Sequence, residues 1–95
     1  MKKDDIRKKV EEGKDRWLIW CGFIMEEDDE KRKIEYFGKF APTKKSVIGL
    51  LKSIIDNTDV YRIIVQDTEI FKTDPSLLQT ELKDFFMLED EERAP

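Results

Sequence analysis

The chain has 95 residues, 42% of them charged and 39% hydrophobic, with a formal net charge of −4 and no histidine. That length closes one core without disulfides or a structural metal, and the acidic balance excludes a protein that coats nucleic acid through a general basic surface. The missing histidine removes serine–histidine and cysteine–histidine dyads, histidine-ligated zinc and the usual general base of neutral pH.

The N-terminus runs from Met1-Lys2-Lys3 into Asp4-Asp5 with no apolar stretch behind it, which is not the pattern of a signal peptide. The one cysteine, Cys21, leaves no intramolecular disulfide to form, so a reducing, cytoplasmic setting is the expectation. Cys21 sits in the most apolar stretch and reads as a core thiol, since a reactive thiolate needs exposure and a cationic neighbour.

In chain order, a short helix over 4–12 is expected, capped by Asp4 or Asp5 and ended by Gly13 in the left-handed conformation. Its apolar residues, Ile6 and Val10, form a narrow stripe on a segment too short to be helical alone, so it docks or it frays. The run 16–26 (RWLIWCGFIME) is uniformly apolar, rich in strand-forming types and too short to span a bilayer as a helix; it is the expected central strand. A charged turn follows. Residues 33–41 then alternate, with Ile34, Tyr36, Gly38 and Phe40 on one side and Lys33, Glu35, Phe37 and Lys39 on the other, as in a half-buried strand forming a hairpin with the first.

Thr43 caps a helix over 44–57, where Val47, Leu50, Leu51 and Ile54, flanked by Ile48 and Ile55, make a wide apolar stripe. Gly49 inside it costs about 1 kcal/mol relative to alanine, and a close approach of helix to sheet is the expected reason. After the turn Asn57-Thr58-Asp59, residues 60–66 form a third strand, and 69–72 with Ile70 and Phe71 a short fourth one at the edge. Asp74-Pro75 starts a last helix over 75–88, with Leu78, Leu82, Phe85 and Phe86 on one face; 89–95 is an acidic tail.

The order α-β-β-α-β-(β)-α predicts a single α+β domain over residues 1–95, with a mainly antiparallel three- to four-stranded sheet and helices packed on one face. A crossover through the 44–57 helix places the third strand parallel to the second and beside the first. A hairpin symmetric about Asp29 and Glu30 pairs Met25 with Ile34, Phe23 with Tyr36, Cys21 with Gly38 and Ile19 with Phe40, an apolar ladder for the covered side. The opposite side then presents Leu18, Trp20 and Ile24 beside Phe37 and Lys39, with the Phe37 ring lying over Gly22. Arg62 joins them from the third strand.

Three uses of that face are open: the N-terminal helix folds back over it, a protein partner or a second copy covers it, or single-stranded nucleic acid stacks on Trp20 and Phe37 with phosphates on Lys33, Lys39 and Arg62. The leading expectation is a non-catalytic regulatory or inhibitory protein that binds another protein there, without cofactor, metal or membrane. The acidic charge disfavours the nucleic-acid use. Glu27, Asp28, Asp29 and Glu30 are secondary acidic contacts, in a stretch without the glycine and ligand spacing of a calcium loop. A separate alternative, metal-assisted hydrolysis, would draw on Asp67, Glu69 and Asp74.

Overall fold

The computed structural model of the chain describes residues 2–86. The elements are α1 (Lys3–Glu12), β1 (Trp17–Glu27), β2 (Arg32–Ala41), α2 (Lys44–Ile54), β3 (Val60–Asp67), α3 (Ile70–Thr73) and α4 (Pro75–Phe85). The three strands form one sheet in the order β2-β1-β3, both outer strands antiparallel to β1 and therefore parallel to each other. The apolar run at 17–25 is thus central, as its lack of alternation requires. The acidic tail lies outside the described residues.

Local chemistry sets most of the boundaries. Gly13 ends α1 with φ of 68°, and the Thr43 hydroxyl accepts the Ser46 N–H at 3.1 Å to start α2. Pro75 opens α4 from its first turn. Three expected caps and strands differ. Asp4 and Asp5 lie within the first turn of α1, behind Lys2 at the cap position, and the Asp74 side chain accepts the Ser76 hydroxyl but no backbone N–H of α4. The expected fourth strand at 69–72 is the single-turn helix α3. Thr68 is the cause: buried, it donates its N–H and its hydroxyl to the Arg16 carbonyl, each at 2.8 Å, which finishes β3 and turns the chain off the sheet.

The helices divide between the two faces of the sheet, where one covered face was expected. On one face Ile6 and Val10 of α1, Phe71 of α3 and Leu77, Leu78, Leu82 and Phe85 of α4 pack on Leu18, Trp20, Tyr36, Phe40 and Ile64. On the other, Val47, Leu50 and Leu51 of α2 pack on Ile19, Ala41 and Ile63. A central strand apolar on both sides can be buried only by cover on both sides.

The hairpin register explains which face took which side of β2. The expected pairing holds next to the turn, at Glu27–Arg32 and Glu26–Lys33, but a bulge at Met25 shifts every later pair by one residue. Ile24 thus faces Ile34, Gly22 faces Tyr36, Trp20 faces Gly38 and Leu18 faces Phe40. The apolar side of β2 accompanies Trp20, not Cys21. Two glycines make that face close: a Cβ on Gly22 would stand 2.7 Å from the Tyr36 ring, and one on Gly38 would stand 2.9 Å from Ile6 Cδ1. The ring over Gly22 is therefore Tyr36, not Phe37. Gly49, by contrast, has open space around it, so close helix-to-sheet approach does not explain it.

Trp20 anchors this core. Its ring lies 4.4 Å from Phe85 and its Nε1–H donates to Gln66 Oε1 at 3.1 Å. The Gln66 amide in turn donates to Glu81 on α4, whose other carboxylate oxygen is buried with no hydrogen-bond partner among the described residues. Burial raises the Glu81 pKa above the ordinary glutamate value, with the Gln66 hydrogen bond opposing and Asp84 reinforcing the rise. The folded state therefore holds this proton more tightly than the unfolded chain does. Its contribution to stability is complete below the ordinary glutamate value and is lost as pH rises through the raised one. Accordingly, in dilute, monomeric protein Glu81→Gln is expected to raise the urea midpoint at neutral pH and to leave it unchanged at acid pH. Equal midpoint changes at both would refute the assignment.

Candidate functional site

The sequence-predicted contact set is split by the fold. Leu18 and Trp20 are 0% exposed and Ile24 is half-buried, all on the face beneath α1 and α4, so the N-terminal helix does fold back over them, with α4 as the larger part of the cover. Arg62, opposite Gly22, belongs to that same face at its exposed margin. Phe37 and Lys39 lie on the other face, opposite Cys21 and Ile19. Trp20 and Phe37 therefore form no common stacking platform, because the Met25 bulge put them on opposite sides of the sheet.

What the structure brings together instead is a cleft of about 330 Å³ between α2 and the β1–β2 part of the sheet. Ile19, Cys21 and Phe23 come from β1, Phe37 and Lys39 from β2, and Leu50 and Ile54 from α2. One eleven-residue helix covers a three-stranded face incompletely. Phe37 stays 38% exposed, held edge-on to Phe23 at 5.8 Å. Lys39 stands exposed at the rim with no ion-pair partner among the described residues. The Cys21 thiol is buried at the cleft floor; burial raises its pKa and Lys39 pulls it the other way, so the thiol stays protonated at neutral pH. Ile48 and Ile55 add exposed apolar surface on the outer side of α2.

A larger groove of about 710 Å³ runs between α1 and the α3–α4 corner. Three of its cations already hold carboxylates: Arg7 with Asp4, Arg16 with Asp67 and Lys72 with Glu69. Much of its charge is thus paired within the chain, whereas the α2 cleft is lined mainly by apolar side chains.

The acidic candidates are engaged locally. Asp28 Oδ1 accepts the Glu30 and Lys31 N–H groups at 2.9 and 2.6 Å, which holds its carboxyl below the usual range and builds the hairpin turn. Glu27 pairs with Arg32, while Asp29 and Glu30 are exposed and make no ion pair among the described residues. Asp67 takes a two-pronged hydrogen bond from Arg16, at 3.1 and 2.8 Å, and one from the Glu69 N–H; the Arg16 bond above all lowers its pKa. Glu69 pairs with Lys72, and Asp74 bonds Ser76. Among the described residues no three carboxylates or thiols are grouped to hold a metal ion, and no helix is long and apolar enough to cross a membrane.

Sequence reasoning missed Cys21, Phe23, Leu50 and Ile54 as cleft residues. The signal available was the surplus of apolar residues on α2 over what the alternating β2 face, with Glu35 and Lys39, offers to cover them. Comparisons with known protein families, curated proteins and solved structures give no match, so the use of this cleft is argued from its geometry alone.

Proposed function

We propose that this chain is a small non-catalytic binding protein, regulatory or inhibitory in effect, that holds another protein at the cleft under α2. The partner inserts an apolar side chain between Phe37, Leu50 and Ile54 and sets a carboxylate against Lys39. One observation carries this: an aromatic ring, Phe37, stands exposed over an open apolar cleft, on the face of the sheet that α2 covers only in part. Exposed apolar surface rimmed by charge is the usual mark of a protein contact, and aromatic residues over a pocket are where such contacts concentrate their energy.

The test places a photo-crosslinking aromatic amino acid at Phe37 in the source cells. Covalent capture of a defined protein is expected, and purified partner should bind Phe37→Ala weaker by about 2 kcal/mol, roughly thirtyfold. Lys39→Glu should weaken it further when the partner's contact is acidic. Binding unchanged by both substitutions removes the cleft as the contact.

A further inference from the structure

The sheet has two outer strands, and they are unequally protected. β2 carries Lys33, Glu35 and Lys39, the charges with which natural edge strands resist adding another strand. β3 reads VYRIIVQD, with no lysine or proline and with charge only at Arg62 and Asp67, and among the described residues it pairs only with β1.

Its free backbone groups can be assigned from the ladder. Thr68 N–H donates to the Arg16 carbonyl, and hydrogen-bonded pairs alternate along antiparallel strands. Gln66, Ile64 and Arg62 therefore bond to β1, opposite Leu18, Trp20 and Gly22. The N–H and C=O of Ile63 and Val65 point outward, and no partner meets them among the described residues. A register slip places an extra residue at Tyr61, so the regular edge begins at Arg62.

We infer that β3 is the homodimer edge of this protein, pairing antiparallel with β3 of a second copy to make one continuous six-stranded sheet. The strand is complementary to itself. A two-fold axis at Ile64 sets Ile63 against the second copy's Val65, so that each pair exchanges both outward backbone groups. Val65, 40% exposed in the single chain, is then covered by an aliphatic neighbour on the α2 side.

On the α4 side the same register sets Arg62 against the second copy's Gln66, the residue that holds Glu81. Arg62 is exposed and makes no ion pair among the described residues, while Glu81 keeps one carboxylate oxygen without a partner. Each copy sets its guanidinium beside the other's half-buried Glu81, whose unpartnered oxygen, buried in the single chain, has to turn outward to meet it. This charge match, made twice by symmetry, selects a second copy over an unrelated strand, and it uses a surface separate from the α2 cleft.

Sedimentation of the full chain over a range of concentrations tests the assignment. A reversible monomer–dimer equilibrium is expected. Val65→Pro removes an outward N–H without touching the β1 ladder and should leave a folded monomer. Should that variant fail to fold, Val65→Lys decides, raising the dimer dissociation constant by about a hundredfold. Arg62→Ala should raise it roughly tenfold. A wild-type chain that stays monomeric at its highest soluble concentration overturns the proposal, and so does a dimer whose affinity survives Val65→Lys.

Discussion

Trp20→Ala is expected to cost about 3–5 kcal/mol of folding stability, the usual loss for a large aromatic removed from a core. Small domains hold only about 5–15 kcal/mol in total, so this one substitution removes a large share. The reason is specific to the site. The indole is fully buried, touches Phe85 and Phe86, and reaches across to Gln66. Alanine leaves a cavity between sheet and α4 and strands the Gln66 carbonyl in it. Trp20→Phe separates the two effects, since it keeps a ring and loses only the hydrogen bond, costing about 1–2 kcal/mol beyond the smaller volume. Urea unfolding followed through the remaining tryptophan, Trp17, reads both. A Trp20→Ala midpoint close to that of the wild type would place Trp20 outside the core.

Ile6→Ala is expected to cost about 2–5 kcal/mol and to release α1 before the rest of the fold. Ile6 is the one fully buried residue of α1, seated over Gly38 and beside Trp20. The other ties are weaker: Val10 at the edge of the same cluster, Lys9 over the Phe40 ring at 5.6 Å, and a 3.8 Å pair of Lys9 with Asp15. A ten-residue helix has little stability of its own. Hydrogen exchange should therefore show α1 amides losing protection in the variant while the β1 amides opposite β2 and β3 keep most of theirs. Equal loss in both would mean that α1 opens only with the whole domain.

These two residues also mark where sequence reasoning held and where it failed. Ile6 and Val10 announced a short helix that docks or frays, and it docks; the uniformly apolar run around Trp20 announced a central strand, and it is one, with Gly13, Thr43 and Pro75 marking helix ends where expected. Nothing around Met25 signals a bulge: no glycine or proline interrupts Phe23 to Glu27. Because β1 is apolar on both sides, its own pattern accepts either register, and a shift of one residue exchanges every neighbour across the hairpin. The contact set drawn from the symmetric hairpin joined Trp20 to Phe37 for that reason alone. The short run 69–72 failed differently, since four residues carry too little period to tell strand from helix.

The sequence by itself determined the order of every element but α3, the α+β class, the central place of β1 and the parallel flanking of β2 and β3, because periodicity, capping chemistry and chain connection are local or topological facts. Only the tertiary structure decided which side of each strand met which helix. One bulge and the division of helices between two faces set that, and both arise from packing among residues distant in sequence. The cleft at Phe37 and the open edge at Val65 exist because α2 alone covers one face and no described element pairs with the outer edge of β3.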